Sequence, residues 1–111
     1  MSQSPITTHV LDTALGKPAA GVHIQLFDAD SNLLGEGKTN GDGRLPDLLP
    51  AEGFEAGRYA ITFDTGGYFA ATDRAGFYPT VRVDFEVVDA ESHYHVPLLI
   101  SPFGYSTYRG S

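Results

Sequence analysis

The chain has no cysteine, which excludes a disulfide framework, a thiolate zinc site and a cysteine nucleophile together. It has no run of Lys or Arg: seven basic residues face fourteen acidic ones, for a formal net charge of −7. That balance repels an extended phosphate backbone, so nucleic acid is not an expected partner. No apolar run approaches bilayer-spanning length, and the opening MSQSPITTHVLD lacks a basic stretch followed by an apolar one. No membrane partner is expected and the default address is the cytoplasm; a processed secreted form would differ only at Met1. With 111 residues the chain is too short for two domains that each bury a core, and residues 1–111 are expected to form a single domain.

What is present is alternation. Hydrophobic residues at 41% and charged residues at 19% are ordinary for a globular chain, which is therefore expected to fold. Val22, Ile24 and Leu26 point one way against His23 and Gln25, and Tyr59, Ile61 and Phe63 do so against Ala60, Thr62 and Asp64. Val81, Val83, Phe85 and Val87 repeat the pattern against Arg82, Asp84 and Glu86. Period two predicts strands with one face buried. Between the alternating segments lie Leu15-Gly16-Lys17-Pro18, Asp30-Ser31-Asn32, Asn40-Gly41-Asp42-Gly43 and Glu55-Ala56-Gly57, offering Gly, Asn or Asp where φ must turn positive. This spacing suits an antiparallel sandwich or barrel. A sustained helical stripe is missing, and only the stretch from Gly67 to Thr72 has room for a helix of one or two turns.

Four histidines differ in what they imply. His23 sits on the polar side of a clear strand and reads as a solvated residue. His93 and His95, two apart in His-Tyr-His-Val-Pro-Leu-Leu-Ile, project from one face of a strand, while Tyr94, Val96, Leu98 and Ile100 fill the opposite, core-facing side. His9 repeats this logic, because Ile6, Thr8 and Val10 form a core set and leave Thr7, His9 and Leu11 outside. Leu11 and Leu99 share the histidine side, and an apolar stripe there marks a surface completed by another subunit. Taken singly, His93 and His95 read equally well as surface or interface residues, and three histidines are also compatible with zinc, although no third ligand is fixed nearby in sequence. Arg44, after Gly41-Asp42-Gly43, reads by itself as a turn cation. The ending Tyr105-Ser106-Thr107-Tyr108-Arg109-Gly110-Ser111 is too aromatic for a fraying tail, and a docked terminus would deliver Arg109 and the α-carboxylate to a site.

Thr8-His9-Val10-Leu11-Asp12, Gly43-Arg44-Leu45, His93-Tyr94-His95-Val96-Pro97-Leu98-Leu99, Ser101-Pro102 and the final Tyr108-Arg109-Gly110-Ser111 together resemble the 5-hydroxyisourate hydrolase family, over nearly the whole chain. The run before the last tetrapeptide is also similar to transthyretin, a carrier that shares the fold but lacks the enzyme's two histidines, its arginine and the terminal tetrapeptide. The resemblance implies an all-β, transthyretin-like (prealbumin-like) sandwich of two four-stranded sheets with one short helix after the fifth strand. It further implies a homotetramer with sites at the dimer–dimer interface. The implied activity is hydrolysis of 5-hydroxyisourate, a small-molecule substrate of urate degradation, to 2-oxo-4-hydroxy-4-carboxy-5-ureidoimidazoline.

Carried over by position, the resemblance implies that His9, Arg44 and His95 are catalytic and that Tyr108, Arg109, Gly110 and Ser111 bind substrate, with no metal and no cofactor. On that footing the two histidines would hold and deprotonate water. Arg44 would keep the base neutral and stabilise the oxyanion. The alternatives are a non-catalytic, transthyretin-like module for a small ligand, which the middle of the chain fits equally well, and a zinc hydrolase.

Overall fold

Among the described residues, 4–50 and 53–110, the computed structural model has eight strands and one helix. In chain order these are β1 (Ile6–Asp12), β2 (Lys17–Pro18), β3 (His23–Asp28), β4 (Leu33–Lys38), β5 (Gly57–Phe63), α1 (Thr65–Ala71), β6 (Val81–Val87), β7 (Tyr94–Ser101) and β8 (Gly104–Thr107). They form two four-stranded sheets, ordered β2-β1-β7-β8 and β4-β3-β5-β6. The inner faces meet in a core that includes Ile6, Val10, Ile24, Leu26, Ile61, Phe63, Leu98 and Ile100, all essentially inaccessible. Each such side chain stabilises the fold by roughly 1.5–3 kcal/mol relative to exposure.

In β1 burial alternates strictly from Ile6 to Asp12, with Thr7, His9 and Leu11 half-buried on the outer face. β5 departs from it: Ala60, expected outside, is buried too. It pairs with Asp84 on β6 and Phe27 on β3 in a central strand, and its single methyl lies below these longer neighbours. On β6, at the sheet edge, Val83 and Phe85 are only partly covered, although Val81 and Val87 are buried as the pattern requires.

Two expectations need correction. The sandwich is not wholly antiparallel, because β1 and β7 run parallel in the middle of their sheet, in register from Ile6 opposite Tyr94 to Asp12 opposite Ile100. Turn spacing informs on neighbours in sequence, whereas these strands come from opposite ends of the chain and no hairpin constrains their direction. In the turn at Asp30-Ser31-Asn32 the positive φ, 65°, falls on Ser31 rather than on Asp or Asn. The Asp28 carboxylate accepts hydrogen bonds from the Asp30 and Asn32 backbone N–H groups and from Asn32 Nδ2, and this clamp fixes which residue turns over.

The short helix begins at Thr65, two residues before the expected stretch, because the Asp64 side chain caps it by accepting from the Gly67 N–H at 3.0 Å. It docks on the end of β1. The fully buried Asp12 carboxylate accepts from Tyr68 Oη at 2.7 Å, from Arg74 Nη2 at 2.6 Å and from the Ala14 and Leu15 N–H groups. Burial pushes the Asp12 carboxyl up, but the hydrogen bonds from Arg74, Tyr68 and Leu15 and the Arg74 charge together hold it below 3.8. No helix among the described residues is long and apolar enough to cross a membrane.

Candidate functional site

The parallel pair at the centre of one sheet puts Thr7 opposite His95 and Leu11 opposite Leu99. Because odd positions of both strands face outward, Thr7, His9, His95 and Leu99 share the outer face, as parity predicts. Arg44 arrives from the loop beyond β4. Asn40 ties that turn by accepting from the Asp42 and Arg44 N–H groups at 2.9 and 3.1 Å, and the Val10 N–H donates to Gly43 O at 2.8 Å. An isolated antiparallel bridge then sets Arg44 beside His9. Gly43 has φ +74°, and a Cβ there would collide with the Val10 carbonyl oxygen, so only glycine lets the loop approach β1 this closely.

The tail closes in from the other side of the sheet. After β8 the chain makes a second isolated bridge, in which the Gly110 N–H donates to His95 O at 2.8 Å. A Cβ on Gly110 would strike the His95 ring, so this glycine is what lets backbone lie flat against the imidazole. Between these elements opens a cavity of about 360 Å³ lined by Thr7, Thr8, Arg44, Leu45, Pro46, His93 and His95.

Within the cavity Thr7 Oγ1 lies 2.8 Å from His95 Nδ1 and 3.0 Å from His93 Nε2, and the two imidazoles stand 6.4 Å apart and nearly parallel. His95 itself lines the cavity, and its Nε2 has no protein partner among the described residues. Burial, then the charge of Arg44, then the other two histidines lower the His95 pKa from the ordinary histidine value, against a smaller opposing contribution from a hydrogen bond with the Thr7 backbone. The guanidinium effect expected from sequence is therefore present, but desolvation exceeds it. The result is an imidazole that favours its neutral form, held at Nδ1 and without a partner at Nε2 among the described residues, lining the same cavity as the Arg44 guanidinium. Such a pair can take a proton from water and stabilise negative charge.

Not every expected residue converges here. His9 lies on the same face, next to Arg44, but does not line the cavity itself. Tyr108 and Arg109 line a separate cavity of about 160 Å³ with Val83, Phe85, Tyr94 and Val96, on the core-facing side of β7. The Arg109 guanidinium sits 4.4 Å from the centre of the Tyr94 ring. Of the terminal tetrapeptide, Gly110 is the member beside His95, and Ser111 lies outside the described residues. His23 stands on the other sheet, with Nε2 3.0 Å from Glu36 Oε1 at the surface. Among the described residues no group of three or more His, Cys, Asp or Glu is placed to hold a metal ion. Sequence reasoning gave Thr7 no role, although its outward parity beside His9 was the available signal.

A family model described as the HIUase/Transthyretin family matches residues 6–110. The chain is 46% identical to 5-hydroxyisourate hydrolase 2 of Rhizobium meliloti, over 96% of this chain and 95% of that protein. The structure of Klebsiella pneumoniae 5-hydroxyisourate hydrolase superposes with a TM-score of 0.86 at 39% identity, covering 99% of this chain and 100% of that one. Sea bream transthyretin in complex with thyroxine superposes with a TM-score of 0.88 at 30% identity, covering 96% and 94%.

Proposed function

The chain belongs to the HIUase/transthyretin family as a 5-hydroxyisourate hydrolase, and we propose that His95, His9 and Arg44 carry the reaction. Water is too weak a nucleophile at neutral pH to open the ring unaided, and a neutral imidazole is matched to the task. His95 Nε2 removes a proton from the attacking water. His9, across the Arg44 bridge, orients that water. The oxyanion that develops on the attacked ring carbonyl is stabilised by the Arg44 guanidinium. Cleavage of the ring C–N bond then returns the proton to the departing nitrogen, giving 2-oxo-4-hydroxy-4-carboxy-5-ureidoimidazoline. The tail reaches the substrate through the Gly110 backbone and Ser111, while Tyr108 and Arg109 anchor it from the far side of β7.

The observation that carries this reading is the open Nε2 of a proton-poor His95 in a cavity shared with Arg44. A purely ligand-binding module has no use for that combination. We further propose a cytoplasmic homotetramer whose sites lie where dimers meet, a reading supported by the half-buried Leu11 and Leu99 on the histidine face.

The test follows 5-hydroxyisourate, generated in place by urate oxidation, through its ultraviolet decay. Decay accelerated by the chain and returned to the spontaneous rate by His95→Ala is expected. Decay indifferent to the folded protein would overturn the reading and turn attention to ligand binding on the same face.

A further inference from the structure

Thr7 makes the only hydrogen bonds to imidazole nitrogens in the cavity among the described residues, and it bonds two of them at once. A hydroxyl has one proton and two lone pairs. It can therefore accept from one imidazole while donating to the other, in either order, or accept from both and leave its own proton unplaced. Two orders remain in which all three atoms are paired, and they are chemically distinct at His95. If Thr7 donates to His95 Nδ1, the neutral ring carries its proton on Nε2 and offers the cavity a donor. If Thr7 accepts from His95 Nδ1–H, Nε2 offers a lone pair. The Arg44 guanidinium lines the same cavity and favours the lone pair facing it over a second N–H.

We propose that Thr7 is a positioning residue for the hydrolysis, holding His95 in the tautomer protonated on Nδ1, with His93 completing the chain as acceptor of the Thr7 hydroxyl. The inference rests on the reading of His95 as the base. Proton order runs from His95 Nδ1–H to Thr7 Oγ1, and from the Thr7 hydroxyl to His93 Nε2. His93, which the resemblance leaves without a role, thus acts three hydrogen bonds away from the reacting water. When His95 takes the water proton on Nε2, its Nδ1–H is already bonded to an oxygen whose own proton points at a neutral imidazole, so the new charge meets two aligned dipoles. The parallel register makes this possible: Thr7 is directly opposite His95, and the outward parity of both strands turns hydroxyl and ring toward each other.

The experiment uses the intact chain with ¹⁵N-labelled histidine, reading tautomers from the ring-nitrogen shifts, together with kcat, KM and the pH profile of Thr7→Val and Thr7→Ser. Parental His95 is expected in the Nδ1–H form. Thr7→Val, nearly isosteric on a half-buried outer face, should release that bias and lower kcat about tenfold with KM little changed, on the scale of a lost orienting contact. Thr7→Ser should restore both tautomer and kcat. Thr7→Val with parental kcat and parental ring shifts would overturn the proposal, as would an Nε2–H His95 in the parent. If His95→Ala retains full activity, the base reading itself has failed, and that result is distinct from either outcome at Thr7. Should Thr7→Val not fold, His93→Ala gives the same decision: a weakened Nδ1–H bias supports the chain, and unchanged ring shifts refute it.

Discussion

β1 carries a polar cluster at each end, and the two are built on opposite principles. At its far end Asp12 faces the core and is saturated: Tyr68, Arg74 and two backbone N–H groups surround a carboxylate with no exposure. At its near end Thr7 and His9 face outward, beside a His95 bonded at one nitrogen only among the described residues, next to an arginine that bridges to His9 through its backbone. A network whose opposite charges meet inside it is worth stability, even with Arg74 Nη1 left buried and unpartnered among the described residues; an open one is worth chemistry, since something must be left for a substrate to meet. Four residues of one strand lie between Thr7 and Asp12, and the pleat decides which is which.

The comparison breaks most forcefully at Asp12. Asp12→Ala removes the acceptor around which Arg74 and Tyr68 are arranged, and should cost on the order of 3 kcal/mol of stability, read as a lowered denaturation midpoint, while the His95 cavity keeps its lining residues. His9→Ala tests the other end. It should lower turnover by roughly a hundredfold, the scale of a lost acid–base or water-orienting group, with thermal unfolding close to parental. If Asp12→Ala abolished activity in protein that remained folded, or His9→Ala unfolded the chain, the division of labour along β1 would be wrong.

Acid separates the two ends without mutation. His95 holds its proton less tightly than an ordinary histidine, so at any given pH more of it is neutral, and the acid limb of activity should lie below that of an ordinary imidazole. Asp12 titrates below 3.8 in the folded chain; its contribution to stability is complete above the unfolded carboxyl value and lost as pH falls through the folded one. A pH interval is expected in which the protein is folded and inactive, detectable by running circular dichroism and the decay assay on the same samples. Coincident loss of fold and activity would contradict it. The smallest effect is expected at His23, where removing an exposed pair with Glu36 should change stability by under about 1 kcal/mol and leave turnover unaltered.

Parity read much of this from sequence. It set His9 and His95 on outer faces and Tyr94, Val96 and Leu98 inside, because a strand offers two sides and apolar residues claim one. Asp12, which the sequence reading left unplaced, falls on the core side with Ile6, Thr8 and Val10 and finds its partners there. What parity cannot supply is which strands are neighbours, so the parallel β1–β7 pair was out of reach, and with it the meeting of Thr7 with His95. Nor does it locate partners for a buried carboxylate, since Tyr68 and Arg74 lie on and just beyond a helix with no spacing relation to Asp12. The tail was legible as docked, but not as divided between the two sides of β7. That division follows from Gly110, whose missing Cβ allows the chain to pass close against the His95 ring.

The parallel pair also sets a clock. β1 is synthesised well before β7; until β7 appears, β1 lacks the strand that lies along its inner edge. Over that interval the segment Ile6–Asp12 is an unpaired strand with an apolar side, open to association with other nascent chains. Its reactive groups come together only once β7 has been made, so a product truncated before β7 is expected to expose a sticky edge and contribute no turnover.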